Sequence, residues 1–429
     1  PRYQTMLWKK VDRRFGWDCH GLPIENIVEK KLEISWKSDI EQKVWVYEFN
    51  EACRANVLTY TDEWKKVVNR MWRWVDIDNP YKTMDTDFME SVWWVFKSIY
   101  DKGLIYEGNR VVPYCTRCCT PLSNFEVNQG YKDKQDKTAT VKFKVKNTEN
   151  KYILAWTTTP WTLPANIWLA VWAEITYVEL LDKETSETYI LAKDRVTSYY
   201  KNEEDYTILR EYAWTCLSWI EYEPVVNDFA VQLWDMALDL WINFKLWKNA
   251  YKVVIWHHVT TESGTWVVHI APAFWEDDNI IGKEHDLWII NHIDDEWMTY
   301  WLLDDSHNWV KVFDFNEIVL KHLKETNALV VISSVNHSYP HCWRCDTPLI
   351  YRAISAWYVN VEAIKDKMVV NNQKINWVPD IIKNWRFGKW VENARDWNIS
   401  RNRYWGSAIP VWQSEDKKEE ICIGSIEEL

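Results

Sequence analysis

Apolar positions follow two rhythms along this chain, and the change between them marks its organisation. From residue 1 to about 138, apolar runs alternate with helical spacing. Phe88, Val92, Val95, Phe96 and Ile99 fall at i, i+3, i+4 and i+7 spacings, with Leu104 beyond them, and so predict a helix. Asp85 and Asp87 open it and Gly103 closes it, the acidic start and glycine stop that helix ends favour. From about 139 the rhythm shortens. Ala139–Val145, Tyr152–Trp156 and Tyr189–Ala192 are strand-length runs separated by charged turns. This β-rich texture persists to about 335, after which Asp380–Trp405 returns to helix and loop with interleaved arginines and aromatics. An α/β region that resumes after a β-rich one predicts an insertion inside a parent domain, with boundaries 1–138, 139–335 and 336–429.

Composition narrows the classes. The 429 residues are 47% hydrophobic, enough for a large core and for more than one domain. No run of about 18 apolar residues occurs, so no membrane-spanning helix is expected. The chain begins at Pro1 without a basic-then-apolar leader and stops at Leu429, so both ends are expected to be cut. A net charge of -12 argues against a dedicated nucleic-acid coat. Two local basic strips remain, Lys9, Lys10, Arg13 and Arg14, and Lys142, Lys144 and Lys146; each reads most simply as a solvated face.

Tryptophan is out of proportion: 33 residues against 10 glycines. Glycine ordinarily supplies about 7% of a chain. About twenty tryptophans changed to glycine would restore that level. By resemblance to a known family, Trp8, Trp72, Trp266, Trp275 and Trp385 stand where that family has glycine, whereas Trp17, Trp161, Trp357, Trp397 and Trp405 match its tryptophans. The expected cause is decoding, UGA meaning glycine in the source but being read here as tryptophan.

The first of five chemical blocks is one pattern written twice. Nine cysteines are present, and Cys115, Cys118 and Cys342, Cys345 form two copies of Cys-x-Arg-Cys-x-Thr-Pro-Leu. Such paired knuckles can give four thiolates to one tetrahedral Zn²⁺, in a reducing compartment, pinning the two ends of the insertion. Cys119 reads as a spare thiol and His341 as redundant. The second block, Trp156 to Asn166, carries Thr157, Thr158 and Thr159 into Pro160, which excludes a helix interior and presents hydroxyls from a turn. The third, Gly264 to Asp278, ends a strand with His269 and an acidic group. Alone, these two also read as an ST-rich loop and a core histidine. The fourth, Phe15 to Glu25, turns on glycines and bears Asp18. The fifth, Asn384 to Gly406, interleaves arginines with aromatics, suiting a nucleotide or a structural stack.

Together the five blocks resemble the isoleucyl-tRNA synthetases, a class I aminoacyl-tRNA synthetase family, in order and spacing across essentially the whole chain. The Gly-Trp-Asp-Cys-His-Gly-Leu-Pro-Ile-Glu block resembles the isoleucine enzymes rather than the valine or leucine ones. The resemblance implies a partial Rossmann-type catalytic domain interrupted by a β-rich editing (CP1) domain, with a zinc knuckle at the junction. It implies ATP- and Mg²⁺-dependent activation of isoleucine, transfer to tRNA(Ile), and hydrolysis of mischarged Val-tRNA(Ile). By the same resemblance, Asp18 holds the amino acid's ammonium and Trp405 walls its pocket. Thr157, Thr158 and Thr159 orient the editing substrate and water, with Asn166, His269 and Asp278 completing the site. Asp278 binds the mischarged ammonium and His269 blocks the longer side chain. The family's two ATP-binding motifs fall outside residues 1–429, so at most editing is expected of this chain alone. A cytoplasmic monomer is implied. A stand-alone editing hydrolase is the alternative, disfavoured because Asp18 and the Asn384–Gly406 block would serve it no purpose.

Overall fold

The computed structural model describes residues 1–34, 37, 39–226, 250–257, 259, 263–287, 289–294, 298–299, 310–415 and 418–429. It is a mixed α/β molecule of two units, Pro1–Gly108 with Ser355–Leu429, and Asn109–Ile354. The chain passes from one to the other along two strands, Ile105–Cys115 and Leu349–Val359.

In the first unit, strand Arg14–Trp17 pairs in parallel with Asp76–Lys82. A parallel pair needs a crossover, and helices Leu22–Lys31, Val46–Val57 and Thr61–Arg70 supply it. The expected amphipathic helix runs Thr86–Tyr100, after Asp85 in extended conformation. Its buried Phe96 packs with Ile105 and Cys422. The Gly103 N–H closes on the Tyr100 carbonyl at 2.8 Å with φ +68°, which glycine adopts without a Cβ clash.

The second unit is built on a six-stranded sheet. Its order is Tyr206–Tyr212, Tyr177–Asp182, Thr188–Ala192, Lys151–Thr157, Tyr131–Lys144 and Leu329–Pro340. A three-stranded sheet places Trp168–Val171 between Lys252–Ile255 and Val268–Ile270. The apolar faces meet in one core that includes Phe143, Trp161, Trp168, Phe274 and Phe315. The texture boundaries at 138/139 and 335/336 fall inside the two paired strands Tyr131–Lys144 and Leu329–Pro340. Along the first of these, residues 131–137 lie exposed or half-buried and 138–143 lie buried. The shift at 138/139 therefore registers where strand Tyr131–Lys144 enters the core, while Leu329–Pro340 shows no such change at 335/336.

Five of the thirteen non-glycine residues with positive φ, among those described, are tryptophans: Trp8, Trp45, Trp72, Trp219 and Trp266, at +56° to +75°. Two of them occupy the same kind of position. Helix Thr61–Arg70 ends at Met71, and the Trp72 N–H reaches the Asn69 carbonyl at 3.1 Å while the Arg73 N–H reaches Val68 at 3.3 Å. Trp8 repeats this after helix Arg2–Met6, with bonds from Trp8 to Thr5 and Lys9 to Gln4. Those paired bonds define the helix stop whose left-handed residue is usually glycine. Trp275 at φ −136° and Trp385 at φ −94° lie in ordinary backbone, so at those two the conformation makes no demand for glycine.

Candidate functional site

Strand Lys151–Thr157 delivers the three threonines to its end, and Pro160–Ala165 then winds into a 3-10 turn. The Thr159 N–H donates to Thr157 Oγ1 at 3.0 Å, and the two hydroxyls stand 3.3 Å apart. Thr158 is half-buried between them in sequence. Thr162 Oγ1 donates to the Thr159 carbonyl at 2.9 Å and lies 3.1 Å from His269 Nε2. A hydroxyl has one hydrogen, already given to Thr159, so His269 donates from Nε2 and its Nδ1 is a bare acceptor. That Nδ1 is buried without a partner. Burial pushes the ring's pKa down to about 4, so His269 is neutral. Sequence reasoning missed the Thr162–His269 bond, since it joins residues 107 positions apart.

His269 sits in strand Val268–Ile270, antiparallel to Trp168–Val171. The Ala271 N–H that follows donates to Asp278 Oδ2 at 2.7 Å. Asp278 lies in the first turn of helix Glu276–Glu284. Burial pushes its carboxyl up to about 7; the Ala271 bond opposes this and the neighbouring Asp277 reinforces it. A carboxyl whose pKa is higher folded than unfolded favours the fold at low pH. That contribution is complete below about 3.8 and is lost as pH rises toward 7. Asp278→Asn should therefore stabilise the protein at pH 8 by a few kcal/mol, on the order of 1.4 kcal/mol for each pKa unit, and change little at pH 4. Urea denaturation at the two pH values measures this, and an equal difference at both would refute it.

Asn166 is committed at both ends of its amide. Its Oδ1 accepts from Tyr222 at 2.7 Å and its Nδ2 donates to the Trp168 carbonyl at 2.8 Å. The turn is braced again by Trp161, whose N–H donates to Asn316 Oδ1 at 3.0 Å and whose carbonyl accepts from His292 Nε2 at 2.9 Å. Asn316 and His292 carry no motif that could have singled them out.

The four expected cysteines come together, with all four sulfurs within 4.8 Å of one another. Cys115 and Cys345 are 3.4 Å apart, and the Cys118 N–H points at the Cys115 sulfur at 3.4 Å. Hydrogen bonding to Cys118 drives the Cys115 thiol up, while hydrogen bonding to Cys115 drives Cys345 down. Four thiolates about 2.3 Å from one centre stand about 3.8 Å apart, which sulfurs within 4.8 Å of one another can meet. The cluster could hold a metal ion. Cys119 bonds instead to the Thr116 carbonyl at 3.4 Å.

In the first unit, Trp405 is fixed from several sides. Its backbone N–H donates to Glu25 at 2.9 Å, its indole donates to the Cys19 carbonyl at 2.6 Å, and His20 meets its ring edge-on at 5.2 Å. Buried Glu25 also pairs with Arg403 at 2.9 Å. Trp405, His20, Arg54 and Met84 line a cavity of about 290 Å³. Asp18 is exposed in the turn after strand Arg14–Trp17 and is not among the lining residues. Of the basic strips, Lys144 and Lys146 are solvated as expected and pair with Glu223 and Glu221, whereas Lys142 is buried, against expectation, and pairs with Glu187.

A family model described as tRNA synthetases class I (I, L, M and V) matches residues 1–429. This chain belongs to the class I tRNA synthetases. Similar proteins include the isoleucine–tRNA ligase of Treponema denticola, 47% identical, and the cytoplasmic isoleucine–tRNA ligase of Saccharomyces cerevisiae, 43% identical. Both alignments take in all of this synthetase chain, which spans 40% and 39% of those relatives. Among solved structures it matches the CP1 domain of GlLeuRS, at 11% identity and TM-score 0.34, over 46% of this chain and 99% of that one. The Plasmodium knowlesi cytosolic leucyl-tRNA synthetase editing domain matches at 11% identity and TM-score 0.34, over 48% and 99%. No described helix of the synthetase chain is long and apolar enough to cross a membrane.

Proposed function

We propose that this synthetase is an isoleucine–tRNA ligase that activates isoleucine with ATP and Mg²⁺, charges tRNA(Ile), and hydrolyses Val-tRNA(Ile) made in error. The identity of 43% and 47% to isoleucine–tRNA ligases along the entire chain supports the ligase assignment. Editing is a physical need of such an enzyme. Valine lacks one methylene of isoleucine, and the isoleucine–valine pair is the standard case in which binding discriminates by only about 1–3 kcal/mol.

The observation that carries the editing reading is the buried Thr162–His269 bond, which ties the threonine turn to the strand leading to Asp278. On this reading Asp278, ionised, holds the ammonium of the mischarged valine. A carboxyl with its pKa near 7 binds a cation better as pH rises through that value, and the cation in turn holds it ionised. Thr157, Thr158 and Thr159 orient the ester and a water, and the neutral His269 ring limits the side chain admitted. The water is the nucleophile, since the threonine turn offers no Ser–His or Cys–His pair. In the ligase site, Asp18 binds the substrate ammonium and Trp405 walls the amino-acid pocket. Zinc is the metal assigned to Cys115, Cys118, Cys342 and Cys345, and a cytoplasmic monomer is the form assigned to the protein.

Deacylation of Val-tRNA(Ile) by this chain tests the reading. Asp278→Ala should lower the rate about a hundredfold through lost ammonium contact and positioning, while Ile-tRNA(Ile) stays intact. Undiminished hydrolysis by the variant would remove Asp278 from the site.

A further inference from the structure

The residue that the editing reading leaves without a contact role is Asn166. It is 3% exposed, its amide oxygen is taken by Tyr222 and its amide N–H by the Trp168 carbonyl. Its backbone N–H closes the turn on the Leu163 carbonyl at 3.0 Å. Tyr222 itself has little freedom. It is fully buried, its N–H donates to the Tyr251 carbonyl at 3.0 Å, and its ring meets Phe143 and Tyr251 edge-on at 5.3 and 6.0 Å. The next residue, Ile167, is gripped from two further directions: its N–H reaches the Ile270 carbonyl at 2.9 Å, and its carbonyl accepts from the Tyr251 N–H at 2.6 Å.

We propose that Tyr222 is a positioning residue for the hydrolytic site, acting through Asn166 to fix the threonine turn relative to the strand that carries His269. The inference rests on the editing reading above. A tyrosine hydroxyl held by a rigid ring is a fixed point, and a dry amide oxygen must follow its donor or go unsatisfied. Removing that hydroxyl lets the amide tilt, and the turn from Thr159 to Ala165 tilts with it. Reacting groups displaced by about 1 Å can lose about a hundredfold in rate. The loss belongs in kcat, because the ammonium contact through Asp278 is untouched.

Tyr222→Phe keeps the ring and deletes one oxygen, so it separates positioning from packing. Tyr222→Phe and Asn166→Ala should each lower kcat for Val-tRNA(Ile) deacylation by about ten- to a hundredfold with KM nearly unchanged. The double variant should be no slower than the worse single one, since both break one relay. Full kcat in Tyr222→Phe beside a damaged Asn166→Ala would overturn the proposal, as would effects that multiply. Amide hydrogen exchange across residues 159–168 supplies a readout independent of chemistry. Both variants should speed exchange there and leave the Tyr206–Tyr212 strand alone. Should the unsubstituted chain hydrolyse nothing, the editing reading fails by itself, and unchanged exchange in Tyr222→Phe would then overturn the positioning role.

Discussion

Glycine in place of Trp8, Trp45, Trp72, Trp219 and Trp266 should make the chain more resistant to denaturation, by roughly 5 kcal/mol in sum at about 1 kcal/mol per site. All five have positive φ, where a bulky Cβ crowds the backbone and glycine does not. Against that gain stands whatever each indole ring contributes by burial. Trp8 is 97% exposed and Trp72 is 80% exposed, so their rings contribute almost nothing. Trp266 is the closest balance, being half-buried against the core with the Arg195 guanidinium 5.9 Å above it. Its indole N–H is nevertheless buried without a partner, a cost of about 1–3 kcal/mol that disappears with the ring. A tryptophan that belongs must respond in the opposite sense. Trp161→Gly empties a site packed edge-on against Phe274 at 4.9 Å and should cost about 3–5 kcal/mol or more. Urea denaturation followed by circular dichroism reads both signs. A fivefold glycine variant no more stable than the present chain would defeat the backbone argument. Peptide mass spectrometry of the protein from its source reaches further, to Trp275, where the backbone is silent. Tryptophan at 266 and 275 in those peptides would end the decoding idea.

What the sequence disclosed, and what it withheld, follows from how far apart interacting residues lie. The helix Thr86–Tyr100 was legible because its apolar spacing and its glycine stop are local. The threonine turn was legible because Pro160 forbids a continued helix and strand alike. The cysteine cluster was legible for another reason: two copies of one eight-residue pattern advertise a shared ligand. Tyr222, Asn316 and His292 were not legible. Each acts on the turn across 56 to 155 positions of sequence through one hydrogen bond, and neither periodicity nor motif encodes such a bond. The texture boundaries at 138/139 and 335/336 fall within strands rather than between elements. Hydrophobic texture records burial, and strand Tyr131–Lys144 is exposed or half-buried along its first half and buried along most of its second, whereas Leu329–Pro340 stays exposed or half-buried up to Pro340. Glu25 was quoted only as part of a block, yet it is the buried acceptor that holds Arg403, Tyr404 and Trp405 in place.

Removing metal from the four-cysteine cluster should cost the 109–354 unit several kcal/mol and lower its melting temperature by about 10 °C, at roughly 2–4 °C per kcal/mol for a domain of this size. The reason is where the cluster sits. Cys115 and Cys118 lie before one ribbon strand, and Cys342 and Cys345 lie after the other, so the ion would close the ribbon's open end. Just inside that end, His341 N–H bonds to the Gly130 carbonyl at 2.8 Å, and Lys132 pairs with Asp346 across the gap. Without the ion, four sulfurs within 4.8 Å must share protons or separate, and either outcome frays this end. The fraying should stop there. Antiparallel pairing from Pro340↔Tyr131 through Leu329↔Val141 continues into the core, and the threonine turn is held by Asn166, Asn316 and His292 rather than by the cluster. Chelation should therefore leave Val-tRNA(Ile) deacylation within about twofold at 20 °C while sharply lowering the melting temperature. Elemental analysis should find one zinc per chain, lost in Cys118→Ser and Cys345→Ser but kept in Cys119→Ser, whose sulfur bonds to the Thr116 carbonyl instead. Hydrolysis that collapsed in step with zinc loss, at a temperature where the fold persists, would make the ion part of the chemistry and end its assignment as a clasp.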